Sequence, residues 1–450
     1  MGLADSAWLR MEQPTNPMTI TGVMGFGRRM PVDSMRRFME ERIVPFDRFQ
    51  MRVLQDGRGR ARWDPDPDFR IDRHVVETTL PEPGGKEGLQ DLVSALMSEP
   101  LSFDHSPWTV HLVHDVEDGG SAAIVRIHHV IGDGIALMHV LISAADEYYD
   151  PDSGTGERPR RIKRPLGRRI ARTARGALDE TVDLLTHPSH LISRLSAAGA
   201  GTKALAMLLA MRPDSETVFK GSATPDKRAA WTTPFELDRV RAIGTATDSK
   251  VNDVLMASAA GALRTYLLDH GQPVDDVEIR VAAPFNVRAL ERAHELGNSF
   301  GLVFVPLPVS IADPVERLRE TKQRMDAVKA SSEPAVTYGI LQSIGGTPKW
   351  VHRMVVKMFS EKASAVLTNV PGPREPLHIE GIPIGTLMFW VPQAGDIGLG
   401  ISILSMAGTL RVGVCADAAY VPDPGALADA FNTEFERLAE ATLAGTATSP

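Results

Sequence analysis

His128-His129-Val130-Ile131-Gly132-Asp133-Gly134, or HHVIGDG, is the stretch that decides how this chain is read. Before it, Ser121 to Ile127 (SAAIVRI) is mostly apolar and suits a buried strand. After it, Ile135 to Tyr149 carries apolar residues at helical spacing. The expected unit is strand, turn, helix. Neighbouring side chains of a strand point to opposite faces, so only one of the two histidines can look into a given cavity. The glycines are expected to allow a tight turn that other residues would resist. Two readings stay open for the motif alone. It is an ordinary strand end with a Gly-Asp-Gly turn, or it holds one imidazole in a fixed pose with a carboxylate close by.

Working outward, the chain has 450 residues, 43% hydrophobic and 24% charged, which suits two or three domains around a sizeable core. Its net charge of −8 does not suggest nucleic acid as a partner. The one cysteine, Cys415, lies in the apolar run Leu410 to Ala416 and reads as a buried thiol. Reducing, cytoplasmic surroundings fit this. The start, MGLADSAWLRMEQ, lacks the basic and long apolar parts of a signal peptide, and no run approaches the ~20 apolar residues of a bilayer span. The expectation is a cytoplasmic protein, either soluble or attached peripherally at the inner membrane or at lipid droplets.

Both halves mix strands and helices. Expected strands include Met18 to Phe26, Trp108 to Val116, Val277 to Ala283, Leu302 to Val309 and Ala363 to Val370. Expected helices include Val32 to Ile43, Leu89 to Met97, Lys250 to Leu268, Pro314 to Lys329 and Pro424 to Leu443, while Ile71 to Leu80 reads as extended. Asn252, near the start of the third of these helices, suits an N-cap. A hairpin is expected over Met51 to Trp63, turning at Asp56 to Gly59. The domains expected are 1–155 with HHVIGDG, a connector over 156–222, and 223–450. Arg158 to Arg175 in the connector holds nine basic residues and no acidic one, so −8 overall leaves −17 elsewhere. This run is a solvated linker or a patch for anionic lipid headgroups or the phosphates of a nucleotide-bearing substrate. Leu178 to Met211, rich in Leu and Met, packs on the body or borders a greasy channel or membrane surface.

Several chemistries are set aside. There is no GxSxG elbow, no phosphate loop, no dinucleotide fingerprint, and no convincing zinc spacing around His111 and His114. A histidine without a nucleophilic partner in sequence remains. With a reference pKa of ~6.5 it can take a proton from a hydroxyl near neutral pH. That suits direct attack by an alcohol on an activated acyl group. Asp133 would fix the tautomer or hold the loop. Oxyanion charge would need donors from elsewhere.

These residues resemble the bacterial wax ester synthase/acyl-CoA:diacylglycerol acyltransferase family, within the CoA-dependent acyltransferases that share HHxxxDG. Further matches occur in order: Thr15 to Met18, Trp63 to Phe69 with His74, Leu80 to Gly85, Trp108 with His111, Asn252-Asp253, Pro284 with Arg288, Gly297-Asn298, Leu307-Pro308, and Asn369-Val370-Pro371-Gly372-Pro373. The family's opening PLSPxD is reduced here to Gly2-Leu3-Ala4-Asp5, Asn286 stands where a serine is expected, and the family's PLD is stretched to Pro100 to Asp104. The resemblance implies an α/β fold. Two similar chloramphenicol-acetyltransferase-like domains, each a mixed sheet flanked by helices, would leave a channel between them. It implies His129 as general base, His128 as its support, Asp133 as the structural or tautomer-fixing partner and Gly134 as the turn. Asn252 becomes the candidate oxyanion donor and Asn369 a channel residue from the second domain. The substrates implied are acyl-CoA and a lipid alcohol, diacylglycerol or a fatty alcohol, with no metal and no cofactor beyond acyl-CoA as substrate. Two alternatives share the pattern: transfer of an acyl chain held on a carrier protein, or a lipid-binding relative without turnover.

Overall fold

The apolar runs become strands of two mixed sheets. The computed structural model describes residues 1–56, 61–116, 119–150, 208–287, 296–344 and 349–443. In the first half the elements are α1 (Leu3–Met11), β1 (Thr19–Phe26), α2 (Val32–Phe38), β2 (Met51–Gln55), β3 (Ala61–Pro65), α3 (Ile71–His74), β4 (Val75–Glu77), α4 (Gly85–Ser98), β5 (Trp108–His114), β6 (Ser121–His128) and α5 (Gly134–Ala144). The second half begins β7 (Lys227–Trp231), β8 (Phe235–Glu236), α6 (Leu237–Ala246), α7 (Val251–Asp269), β9 (Ile279–Asn286), β10 (Phe300–Leu307), α8 (Pro314–Lys329), α9 (Glu333–Ile344) and α10 (Lys349–Ser360). It ends with β11 (Ala365–Pro371), β12 (His378–Ile379), β13 (Ile382–Trp390), β14 (Leu399–Met406), β15 (Thr409–Asp417) and α11 (Pro424–Leu443).

The first sheet has the order β12-β13-β1-β6-β5-β4, and the second runs β10-β9-β11-β14-β15-β7 with β8 also on β15. Each contains a parallel pairing, β4 with β5 in the first, β11 with β9 and β14 in the second, so both are mixed as expected. The sheets do not divide where the chain does. Residues 378–390 belong to the second half by sequence, yet β13 pairs antiparallel with β1, from Thr21↔Trp390 onward. In return α4 of the first half packs on β7, where the Ser94 hydroxyl accepts from Ala229 N (3.0 Å) and the Ser98 hydroxyl from Lys227 N (2.9 Å). Val23, Ile124, Trp390, Trp231 and Cys415 share one buried cluster across the two sheets. Burial pushes the Cys415 thiol pKa up to about 11. The boundary drawn at residue 223 is therefore a boundary of the chain, not of the packing.

Three local expectations are corrected. Ile71 to Leu80 is not extended throughout: one helical turn, α3, swings His74 under Trp108, where the rings stack at 4.4 Å, before β4 begins. The helix after the motif stops at Ala144, five residues before Tyr149. The N-cap of α7 is Lys250, not Asn252, and the Asp253 carboxylate accepts from Lys250 N (3.0 Å). The basic run 158–175, the Leu- and Met-rich segment through residue 207, Arg288, and residues 57–60 of the hairpin turn lie outside the described residues.

Candidate active site

β1 and β6 pair antiparallel with Thr19 opposite His128, which places the motif at the strand end nearest the second sheet's β11. The two histidines part there. His128 is fully buried at 0% exposure. Its Nδ1 accepts from Val130 N (3.0 Å), and its Nε2 faces the Glu12 carboxylate at 3.3 Å. Glu12 also accepts from Met18 N (2.5 Å), tying this histidine to the start of β1. Both nitrogens of His128 are thus engaged, and its ring does not line the central cavity.

His129 does line it. Its Nδ1 lies 2.7 Å from Asn298 Oδ1. Asn298 Nδ2 donates to the His129 carbonyl (2.9 Å) and to Asp5 Oδ1 (2.9 Å). The Trp8 ring stacks on the imidazole at 4.1 Å and 11°, and Phe300 approaches at 5.8 Å. Burial lowers the His129 pKa to about 4, against the opposing pull of the Asn298 bond. The imidazole is therefore neutral at physiological pH, with the proton on Nδ1 and a lone pair on Nε2.

Asp133 caps α5. Its Oδ1 accepts from Ala136 N (2.9 Å) and its Oδ2 from Ser299 N (3.1 Å). Of the two roles open to it, the structural one matches these bonds, because Nδ1 of His129 is taken by Asn298. The glycines correct another expectation. Neither Gly132 nor Gly134 has a positive φ. Gly132 instead lies close to the facing segment: a Cβ there would press on the Leu296 side chain at 3.3 Å, next to where Asp133 N donates to Gly297 O (3.2 Å). The left-handed residue is Gly297 itself, at φ +127°, packed under the Arg48 guanidinium. Asn252, at the start of α7, does not line the cavity. It accepts at Oδ1 from Asn369 Nδ2 (2.6 Å), and Asn369 on β11 is the member of the pair that faces the cavity.

The cavity holds about 160 Å³ and lies between the sheets. Its first-half wall is Trp8, Met11, His129, Asp133, Gly134 and Ile135. Opposite stand Phe304 of β10, Ile340 and Leu341 of α9, and Val355, Val356 and Phe359 of α10. The arrangement puts one basic nitrogen at the wall of an apolar chamber. The hydroxyls of two lining residues, Thr337 and Ser360, donate to the carbonyls of Leu302 and Lys357, which leaves neither set up as a nucleophile on an imidazole. Among the described residues no group of three or more His, Cys, Asp or Glu is arranged to hold a metal.

Comparison with known proteins supplies the family. The family described as "Wax ester synthase/diacylglycerol acyltransferase catalytic domain" matches residues 1–255, and "WS/DGAT C-terminal domain" matches 296–439. The chain belongs to this family. It is an acyltransferase, taking an acyl donor and a lipid acceptor. A relative from Mycobacterium tuberculosis (strain ATCC 25618 / H37Rv), named "Probable diacyglycerol O-acyltransferase tgs1", is 26% identical over 89% of this chain and 86% of its own. Among solved structures, the wax ester synthase/diacylglycerol acyltransferase from Marinobacter aquaeolei VT8 superposes with a TM-score of 0.68 at 20% identity, covering 97% of both chains. The first condensation domain of the calcium-dependent antibiotic synthetase shares the fold, with a TM-score of 0.62 at 15% identity over 98% of this chain and 95% of its own.

Sequence reasoning missed Asn298 as the partner of His129, and also Asp5, Trp8 and Glu12. In the sequence Asn298 stands out only as part of the Gly297-Asn298 pair that matches the family. A buried polar residue beside a glycine, ahead of a strongly apolar strand, was the available signal.

Proposed function

We propose that the chain moves a long acyl group from acyl-CoA to the hydroxyl of diacylglycerol or of a fatty alcohol, in one transfer with no acyl-enzyme. The observation that carries this is His129: Nδ1 is fixed by Asn298, while the ring lines an apolar chamber between the sheets. Nε2 takes the hydroxyl proton as the alcohol oxygen attacks the thioester carbonyl. The carbon–sulfur bond then breaks, and the imidazolium returns the proton to the departing thiolate, giving ester and free CoA. Asn369, with one amide hydrogen on Asn252, has a second for the developing oxyanion. His128, Asp133 and Gly132 hold the strand end and the turn. The reaction balances without redox or metal, so no cofactor beyond acyl-CoA as substrate is proposed. Thin-layer chromatography of products from palmitoyl-CoA with dioleoylglycerol and with hexadecanol tests the reading. It predicts triacylglycerol or wax ester. Product formed only from an acylated carrier protein would overturn the choice of donor, and no ester from any donor would overturn the reading altogether.

Peripheral contact with a lipid surface extends the proposal. No described helix is long and apolar enough to cross a membrane. Yet α10, whose inner face lines the chamber, leaves Trp350 65% and Met354 59% exposed, beside the exposed cations Arg353 and Lys357. Leu3 of the adjoining α1 is 57% exposed. Large apolar side chains flanked by cations suit an anionic lipid interface. Co-sedimentation with phosphatidylglycerol vesicles should fall in Trp350→Ser/Met354→Ser; unchanged binding would remove α10 as the contact.

A further inference from the structure

A buried asparagine beside a base raises a question of direction. The side-chain amide has an acceptor end and a donor end of nearly the same shape, and the end facing the imidazole decides which ring nitrogen carries the proton. If Asn298 presented its NH2 group to His129 Nδ1, that nitrogen would accept, the proton would move to Nε2, and the ring could no longer take a proton from an acceptor hydroxyl.

The surroundings of Asn298 forbid this. Its Nδ2 lies 2.9 Å from the His129 carbonyl and 2.9 Å from Asp5 Oδ1. A carbonyl and a carboxylate only accept, so the NH2 group must face them. Asp5 Oδ1 also accepts from Asn298 N (3.2 Å), and its Oδ2 accepts from Arg48 (3.0 Å). Arg48 in turn donates to the carbonyls of Val130 (2.9 Å) and Ile131 (3.0 Å), inside the HHVIGDG turn. Asp5 and Asn298 are each 4% exposed, as is His129. Asp5 shares α1 with Trp8, three residues on, which stacks on the same imidazole.

We propose that Asp5 is a positioning residue: through Asn298 it sets the tautomer of His129 that leaves Nε2 free, and Arg48 locks Asp5 to the motif turn. The amide between carboxylate and imidazole transmits orientation without bringing the charge into contact with the ring. This rests on His129 being the general base, so the test separates the two claims.

The test compares Asp5→Asn, Asn298→Asp and the double exchange Asp5→Asn/Asn298→Asp, with His129→Ala as the control. Each is assayed with palmitoyl-CoA and dioleoylglycerol, with melting curves to confirm folding. Imidazole 15N spectra of histidine-labelled protein identify the His129 signal by its loss in His129→Ala. Asp5→Asn loses the acceptor-only partner. It should lower kcat by about 10- to 100-fold, the size of loss when the outer partner that orients a metal-bound histidine is removed, with little change in KM, and should move the His129 proton toward Nε2. Asn298→Asp alone places two carboxylates together and should be the poorest of the three. The double exchange puts an acceptor-only carboxylate directly on Nδ1. It loses the bond to the His129 carbonyl, but it relieves the clash of two carboxylates, so it should restore the Nδ1–H tautomer and recover at least tenfold in kcat over Asn298→Asp. It should also move the acid limb of the pH–rate profile upward by about one unit, because a charge now touches the ring. A purely structural Asp5 would show no such recovery and no change of tautomer. Wild-type kcat in Asp5→Asn, or a folded double exchange no better than Asn298→Asp, would overturn the proposal while the base assignment stands. Near-normal turnover in His129→Ala would overturn both.

Discussion

The two walls of the chamber are built on different principles. The first-half wall is a strand end and a turn in which nearly every polar group is tied: His128 to Glu12 and Val130, His129 to Asn298, Asp133 to Ala136 and Ser299. The opposite wall is mostly apolar side chains from β10, α9 and α10. There α9 hangs on the edge strand β10 by two side chains. Glu333 accepts from Phe304 N (2.7 Å), and the Thr337 hydroxyl accepts from Leu302 N (2.8 Å) and donates to Leu302 O (2.7 Å). One wall fixes a single proton acceptor to within a hydrogen bond. The other offers dispersion contact and volume, which a flexible acyl chain can fill in many ways. Chemistry and substrate length should therefore respond to different mutations.

The largest effect should come from the tied wall. His129→Ala is expected to lower ester formation about 10³-fold, within the span for a lost general base, in a protein that still melts cooperatively. The wild-type rate should show no acid limb near pH 6.5, because the imidazole stays neutral down to about 4. A limb at 6–7 in kcat/KM would mean that a different group titrates. On the apolar wall, Val356→Phe takes volume from the chamber. It should cut turnover of palmitoyl-CoA by about tenfold while octanoyl-CoA changes less than about twofold, given the 1–3 kcal/mol that a methylene's fit is worth. Equal losses for both chain lengths would show that the wall does not measure chains. His128→Ala should cost less than about tenfold in kcat. It should lower stability, because the Glu12 carboxylate and Val130 N–H lose a buried partner, at about 1–3 kcal/mol.

The smallest effect belongs to Glu333. Burial raises its pKa to about 7 from the usual carboxylate value of 4.5. Between those values the folded protein holds a proton that the unfolded chain has released. This group's contribution is therefore fully present below pH 4.5 and is lost as the pH rises through 7. Glu333→Gln should raise the melting temperature at pH 8 by about 1–2 °C and leave it unchanged at pH 4.5. A rise of equal size at both pH values would contradict the assignment.

What the sequence made legible follows the same division. Local period and turn chemistry gave α8 and α11 their full spans, Pro314–Lys329 and Pro424–Leu443, and placed β6 before the motif. The resemblance supplied the two-sheet α/β architecture and singled out His129. Alternation alone says that one of two neighbouring histidines faces a cavity, not which one. The missing parts are all long-range. Asn298 lies 169 residues from His129, and Asp5 lies 293 from Asn298, so no window along the chain contains the contact. The pairing of β13 with β1 is equally invisible, since an apolar strand suits either sheet. Asn252 was misplaced for a different reason. Helix-start preference cannot separate an N-cap from a residue two positions later, and Asp253 supplies the bond that decides it.

The claim on which the rest depends is that the acyl group passes directly to the acceptor, with His129 holding only the proton. Rapid-quench mixing of the protein with radiolabelled palmitoyl-CoA, without and then with dioleoylglycerol, tests it most directly. The account predicts no label on the acid-precipitated protein in either case, and labelled triacylglycerol only when the acceptor is present. Label on the protein at a stoichiometric level, formed without acceptor and chased into ester when acceptor is added, would contradict it.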